Sequence, residues 1–462
     1  MTDRTSEWAS VETHSIDFVP LSERHGRVTQ QGPFWFLGNF HFFTVSIGFV
    51  GPALGLGFAA ASLAGVLGIL FGTVFMAFHA AQGPELGLPQ MIQSRAQFGY
   101  NGVIVPLIAA LCTFVGFNVI DSIVIAAGLK SIWGIDSQVA MFALAVVPVV
   151  LAIWGHDWVH LAFRALFWLS LPLFAILTVA IASGHVATPH FVPAPVVFTW
   201  GAFLAQFVAA ASYNITYAPY VSDFTRYLPP STSRRAVIGH VYAGAALSAI
   251  WMIAIGAWLA THMAARDGLT ALFVAGNQLA GGFGFWLAIF SASALVATMG
   301  MNAYSGMLTV VTGLDIFRPG TSGSWVRITT ILVLAVLWLV PALSFGGNAI
   351  AGLNAMLVVT LNLLVPWTAV NLVDYFYLSD GHYDIAAMAD PDGRYGRYNA
   401  VGIASYFVGL LASLPFFDIP DYWVGPIARR IGDLDFAWLV GLVVAAAVYV
   451  SLTRLLARRA AF

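Results

Sequence analysis

Apolar runs of about 18–27 residues, the length an α-helix needs to cross the hydrocarbon of a bilayer, recur twelve times along this chain. They fall at roughly 34–57, 62–82, 103–129, 138–155, 161–183, 198–222, 236–261, 283–312, 326–344, 350–376, 400–416 and 436–457. In hydrocarbon every backbone N–H and C=O must be satisfied within the protein, so segments of this length are read as helices. Only 9% of the 462 residues are charged, against roughly 25% in soluble domains. The expected fold class is therefore an all-α polytopic membrane protein with about twelve transmembrane helices.

The same composition excludes several functions. A net charge of -2 leaves no basic footprint for nucleic acid. The single cysteine, Cys112, rules out a disulfide framework or a thiolate metal site within one chain. No cluster has metal-ligand spacing and no nucleophile stands with a base, so the chain reads as no enzyme, with no metal and no cofactor. The segment Met1–Gln31 is polar and lacks the apolar core of a signal peptide, so it reads as a soluble tail. With that tail inside, fifteen of the 19 Lys and Arg residues fall on the cytoplasmic side; only Lys130, Arg266, Arg429 and Arg430 fall outside. The positive-inside rule then predicts a multi-pass protein of the plasma (inner) membrane with both termini cytoplasmic.

Two spans look interrupted. The first carries Asn39, His41, Thr44 and Ser46 before Gly48 and Gly51-Pro52. The sixth carries Ser212-Tyr213-Asn214 and then Thr216-Tyr217-Ala218-Pro219. Breaks in corresponding positions five helices apart are the sequence mark of a transporter site, because unwound backbone in a membrane is tolerated only where it lines a cavity or is buried in protein.

Polar residues inside the spans supply candidate ligands. Asp121 lies in the middle of the third span, where a carboxylate costs about 2.5–3.5 kcal/mol on insertion scales unless paired, solvated or protonated. Phe117 lies one turn earlier on the same face; an aromatic beside a carboxylate suits a flat, hydrogen-bonding heterocycle. Thr298 and Asn302 share a face of the eighth span, and an amide offers both donor and acceptor atoms, although such residues also join membrane helices to one another. His41 is a second candidate for carrying a proton. Arg95, Asp223, Arg226 and Asp374 lie at span ends and read as gate or structural residues.

The motifs Trp35…Asn39…Ser46-Ile-Gly48-Phe-Val-Gly51, Gly83-Pro-Glu-Leu-Gly87-Leu-Pro-Gln90-Met91-Ile-Gln-Ser94-Arg95, Ala218-Pro219-Tyr220-Val-Ser-Asp223-Phe-Thr-Arg226, Asn302-Ala-Tyr304-Ser305 and Pro366-Trp367…Asn371…Asp374-Tyr375 resemble those of the nucleobase:cation symporter-1 family, in its purine–cytosine permease branch. The resemblance implies a LeuT-like fold: two inverted five-helix repeats plus two C-terminal helices. The expected organisation is a tail over 1–32, a transporter core over 33–379 with repeats at about 33–183 and 198–379, and a loop, two peripheral helices and a short tail over 380–462. It also implies nucleobase import, of cytosine or purines, by cation symport through alternating access. Substrate binding would fall to Ser46, Phe117, Asp121, Tyr217 with Tyr213 as the fallback, Thr298 and Asn302. Another small heterocycle, such as a hydantoin, allantoin, a thiamin precursor or a vitamin, stays open as the substrate; a channel or membrane receptor fits less well. Asp121 stands where relatives keep an amide. The stretch Val296-Ala297-Thr298 retains one hydroxyl where sodium-coupled relatives have two, which favours protons over sodium as the coupling ion.

Overall fold

A computed structural model describes residues 15–187, 196–263, 267–320, 323–419 and 422–460. Residues 1–14 of the tail, with Arg4, and the outward-assigned Arg266 lie outside the described residues. In chain order the main helices are α1 (Gln31–Gly38), α2 (Phe42–Ile47), α3 (Phe58–Ala80), α4 (Ile104–Trp133), α5 (Ser137–Trp154) and α6 (His156–Ala182). There follow α7 (Trp200–Ile215), α8 (Val221–Thr225), α9 (Arg234–His262), α10 (Gly268–Asn277), α11 (Phe283–Phe317), α12 (Ser324–Ser344), α13 (Ala349–Val373), α14 (Ala400–Ser413) and α15 (Ala437–Ala460). Among the described residues nine helices are long and apolar enough to cross a membrane, and α1 with the α2 region forms a tenth span bent by 56°. The sixth and eleventh expected spans are present as shorter helices, α7 with 16 residues and α14 with 14.

Helix starts follow from local chemistry. Asp136 accepts N–H bonds from Gln138 and Val139 at the start of α5, Thr199 caps α7, Asp267 caps α10 and Asn399 caps α14. Each oxygen satisfies backbone donors that a helix cannot satisfy itself.

The packing has an internal symmetry. The second span, α3, lies along α7 of the sixth, and the seventh, α9, lies along α1 of the first. The fourth and fifth spans, α5 and α6, pack on α11, just as the ninth and tenth, α12 and α13, pack on α4. Exchanging each span for the one five later maps every one of these contacts onto its partner. The last two spans, α14 and α15, pack on each other and dock on α13, outside this arrangement.

Because lipid is as apolar as leucine, close backbone approach must hold such helices together. Glycines provide it. A Cβ on Gly72 would come 2.2 Å from the Ala211 carbonyl oxygen, one on Gly244 2.2 Å from that of Gly32, and one on Gly256 1.9 Å from that of Val45. Gly256 thus seats α9 directly against the kinked first span. Substituting Gly256→Val should cost about 1–3 kcal/mol through forced backbone shifts and lower the melting temperature of the detergent-solubilised protein. Gly239→Val, on the same helix with open space around it, should leave the melting temperature far less changed.

Candidate functional site

The first span breaks after Gly38, and α2 begins only at Phe42 with the His41 backbone fully extended. The sixth breaks after Ile215, with turns through residues 216–220 before α8 begins. Both breaks are buried, so their freed backbone groups need protein partners. The two breaks supply each other. The Gly38 carbonyl accepts the Tyr217 hydroxyl at 2.6 Å and lies 2.9 Å from His41 Nε2, which must carry its hydrogen to bond there. The Tyr213 hydroxyl lies 3.3 Å from both that carbonyl and His41 Nε2, and accepts from Thr44 at 3.0 Å. Asn39 Nδ2 donates to Asn214 Oδ1 at 2.9 Å, and Asn214 Nδ2 in turn donates to Thr73.

Between the breaks, α4 and α11 close a cavity. His41, Phe43, Phe117, Asp121, Tyr213, Thr216, Tyr217, Tyr220, Leu295, Thr298 and Asn302 line it, drawn from the first, third, sixth and eighth spans. Helical spacing explains two of its walls: Phe117 and Asp121 are one turn apart on α4, and Leu295, Thr298 and Asn302 follow one face of α11. The free volume is about 10 Å³, room for one water-sized body. Rings fill the rest. The Phe43 and Tyr213 centroids are 5.6 Å apart and stacked, and Phe117 and Tyr213 stand 6.3 Å apart. A flat ring held between two others needs about 7 Å, twice the van der Waals separation, so this is a closed state of the site.

Asp121 is 1% exposed, and its Oδ1 has no hydrogen-bond partner among the described residues. Among the described residues no lysine or arginine lines the cavity. The Asn302 amide is oriented: Nδ2 donates to Asn118 Oδ1 at 3.0 Å, Oδ1 accepts from the Tyr220 hydroxyl at 3.1 Å, and Asn118 is itself anchored to the Met299 carbonyl. One N–H and one lone pair of Asn302 remain for a ligand.

Of the residues singled out in the sequence, the structure brings His41, Phe117, Asp121, Tyr213, Tyr217, Thr298 and Asn302 into one cavity. Ser46 stands elsewhere. Its hydroxyl donates to the Phe42 carbonyl, and it packs where a Cβ on Gly268 of α10 would come within 2.5 Å of it. The ring nearest Phe117 from the sixth span is that of Tyr213; Tyr217 instead packs on Trp35 and Tyr220, with its hydroxyl held by Gly38. Phe43, Thr216, Tyr220, Leu295 and the orienting Asn118 were not anticipated. Tyr220 and Asn118 were open to inference, since they neighbour the Pro219 break and share α4 with Asp121; Phe43 and Leu295 carry no signal against so apolar a background.

The end-of-span residues gather at one end of the bundle, the end that bears the tail. Arg95 donates to Asp315 Oδ2 at 2.9 Å and to the Met388 carbonyl, with its guanidinium 3.9 Å over the Tyr100 ring. Asp223 accepts the Gln90 N–H, and Arg226 donates to the Ser15 carbonyl and the Tyr304 hydroxyl. Asp374 accepts from Gln97, Tyr383 and Tyr449. Beside them a second cavity of about 870 Å³ opens between the tail, α6 and α8. An aromatic layer of Phe34, Trp35, Phe163 and Phe224 separates it from the central site. Among the described residues no group of three or more His, Cys, Asp or Glu is placed to hold a metal ion.

Comparison with known proteins places these features in context. A family model described as permease for cytosine/purines, uracil, thiamine, allantoin matches residues 18–441. The Bacillus subtilis protein YxlA, named by inference a purine-cytosine permease, is 34% identical over 442 residues, 95% of each chain. The purine-cytosine permease fcyB of Emericella nidulans is 24% identical over 96% of this chain and 88% of its own. Among solved structures, the nucleobase-cation-symport-1 family transporter Mhp1, closed with bromovinylhydantoin bound, aligns with a TM-score of 0.74 at 16% identity over 97% of both chains. A Na+-coupled sialic acid symporter aligns at 0.62 with 12% identity over 94% of this chain and 91% of its own. The shared fold is the LeuT-like one.

Two stability tests follow from the buried polar groups. Tyr217→Phe removes the shortest of the three contacts to the Gly38 carbonyl, leaving those of His41 and Tyr213, and should cost about 0.5–1.5 kcal/mol, read as a lower melting temperature. Arg95→Ala leaves Asp315 without its cation and should cost about 3–5 kcal/mol by the same measurement; Arg95→Lys, which keeps the charge, should recover part of it.

Proposed function

Because the chain belongs to the family of permeases for cytosine/purines, uracil, thiamine and allantoin, we propose that it is a secondary active importer of a nucleobase, cytosine or a purine, driven by protons. It is a multi-pass membrane transporter and not an enzyme. Its substrate, coupling ion, membrane and site residues are the proposal.

The observation that carries the reading is the central cavity, where stackable rings, an unpartnered carboxyl and an oriented amide converge at two helix breaks. A flat heterocycle suits that set. Admitting a ring between Phe117 and Tyr213 would require the aromatic walls to move apart, since the closed cavity holds only about 10 Å³; Asn302 would then read a polar edge through its spare N–H and lone pair, and Asp121 would meet another edge. Tyr217 would hold the first break in register with the sixth. Thr298 would add one hydroxyl, its O–H already directed to the Ala294 carbonyl, so a ligand would find an acceptor there. Ser46 is best read as packing between α2 and α10.

Alternating access fits the two ends. The substrate would enter from the side of α10, the cavity would close as seen here, and exit would follow displacement of the aromatic layer toward the 870 Å³ cavity. The contacts of Arg95, Asp223, Arg226 and Asp374 would hold that tail end shut beforehand. The tail end carries most of the Arg residues, which supports a cytoplasmic assignment for it and for both termini in the plasma membrane.

Proton coupling rests on Asp121 and on the single hydroxyl in Val296-Ala297-Thr298, where a sodium ion would want several hard oxygens. A one-unit pH gradient is worth about 1.4 kcal/mol, or tenfold accumulation for one proton. A second reading keeps the same machinery for allantoin or a thiamine-like ring, since the family description covers both.

Uptake of labelled cytosine, adenine, hypoxanthine, uracil and allantoin into proteoliposomes under imposed pH or sodium gradients tests the proposal. Accumulation of a base about tenfold per unit of inward proton gradient is expected, with a loss of at least tenfold in Asn302→Ala. Uptake that follows sodium and ignores pH would overturn the coupling, and failure to carry any of the bases would overturn the substrate class.

A further inference from the structure

We propose that Asp121 takes up the coupling proton because only its protonated form matches the edge most nucleobases present, so that the choice of base decides whether a proton is bound with it. The inference rests on the reading of the cavity as a base site.

A carboxylate only accepts hydrogen bonds, whereas a carboxylic acid donates one and accepts another. Cytosine and adenine present an exocyclic N–H beside a ring-nitrogen acceptor. Hypoxanthine, uracil and allantoin present an N–H beside a carbonyl. Each is a donor next to an acceptor. Facing a carboxylate, the acceptor would be turned against an oxygen lone pair in a buried site with no partner to relieve it. Facing the acid, both bonds form: the O–H donates to the ring nitrogen or carbonyl, and the C=O accepts the N–H. Guanine differs in offering, besides the N–H and carbonyl edge it shares with hypoxanthine, a second edge where its ring N–H and exocyclic amine put two donors side by side, which suits the carboxylate.

The cavity leaves this role to Asp121. Its Oδ1 has no protein partner, so both oxygens are not already committed. Among the described residues no lysine or arginine lines the site to fix it as a carboxylate. The ionisable groups facing it are His41 from the first span and Tyr213, Tyr217 and Tyr220 from the sixth; α11 contributes Leu295, Thr298 and Asn302. From the other helices packed on α4, the charged side chains are engaged elsewhere: Arg327 of α12 with the Ala152 carbonyl and the Tyr304 ring, Asp315 of α11 with Arg95. The His41 Nε2 is tied to Gly38, which leaves only its Nδ1 open. An amide carries the donor–acceptor pair permanently, so Asp121→Asn mimics the protonated state and removes its dependence on a proton.

In the cycle, an open site with Asp121 ionised gains one proton and one base, closes with the acid–base pair formed, and releases both when the site opens to the other side. No covalent bond is made. A base bound through two adjacent donors would bind without the proton and, in that pose, would not be concentrated by a pH gradient.

Calorimetric titration of the full chain in nanodiscs, at pH 6, 7.5 and 9 and in buffers of different ionisation enthalpy, counts the protons bound with each ligand. The expected result is that cytosine and hypoxanthine binding takes up one proton per ligand at the higher pH values, and guanine binding, which has a two-donor edge available, takes up fewer. Asp121→Asn should bind cytosine with no proton uptake and with an affinity that varies less than threefold from pH 6 to 9. Cytosine binding without proton uptake at every pH would overturn the inference and leave the transport reading standing. So would proton uptake that survives in Asp121→Asn but vanishes in His41→Gln, or an Asp121→Asn protein that melts normally yet binds no base. Failure of the wild-type protein to bind any base would instead overturn the base-site reading itself.

Discussion

A single carbonyl oxygen, that of Gly38, sets the terms for the centre of this protein. It ends a half-helix inside the membrane, where an unsatisfied backbone acceptor costs several kcal/mol. Three groups converge on it: the hydroxyls of Tyr217 and Tyr213 from the sixth span and the ring of His41 from the first. The break in one repeat is thereby satisfied by the side chains at the break in the other. Neither span could be unwound alone, and neither could be shifted without exposing the other. The Asn39–Asn214 bond repeats the logic a few ångströms away.

That mutual dependence explains why the aromatic residues divide their work. Tyr217 has its hydroxyl at 2.6 Å from the carbonyl and its ring against Trp35, so it belongs to the hinge between breaks. Tyr213 has looser hydroxyl contacts and presents its face toward Phe43 and Phe117. A ring with weaker tethers next to two others is the one that can move aside for a ligand. The hydrogen bonds that stabilise the unwound backbone and the rings that would receive a substrate therefore sit on neighbouring turns of one segment. Movement at either is felt at the other because packed interiors transmit strain.

Much of this was legible in the sequence, for physical reasons that differ by residue. Ten of the twelve expected segments, counting the bent first span, were visible because bilayer thickness imposes a length on apolar runs. The two breaks were visible because polar, glycine and proline residues cluster there against an apolar background. Asp121 stood out because charge in a membrane is rare. Where the first span breaks was less clear: the sequence draws the eye to Gly48 and Gly51-Pro52, yet the main bend falls at residues 39–41, where Asn39 and His41 provide the replacement hydrogen bonds. Ser46 was expected as a ligand because it matches a first-helix polar contact of the family the chain resembles; α10, which follows the seventh span and packs over it, could not be foreseen from that match. The split between Tyr213 and Tyr217 was equally hidden, since the two are one turn apart on a segment whose unwinding rotates one ring toward α4 and the other toward Trp35.

The two ends of the bundle are built on opposite principles, and that asymmetry gives the fold its direction. At the tail end, guanidinium and carboxylate groups lock loops to span ends: Arg95 with Asp315, Arg234 with Glu85, and Arg226 with the chain ahead of α1. The Arg95–Asp315 pair is desolvated whereas Arg234–Glu85 is about a third exposed, so water reaching the former would weaken it most. At the far side, α10 closes over α2 through apolar packing and a glycine contact, with no ion pair between them among the described residues. Between them lies a cavity lined by one carboxyl group, Asp121, and by no lysine or arginine among the described residues. A charge in that cavity has no lysine or arginine to offset it, so its cost falls on whatever the site takes up alongside it.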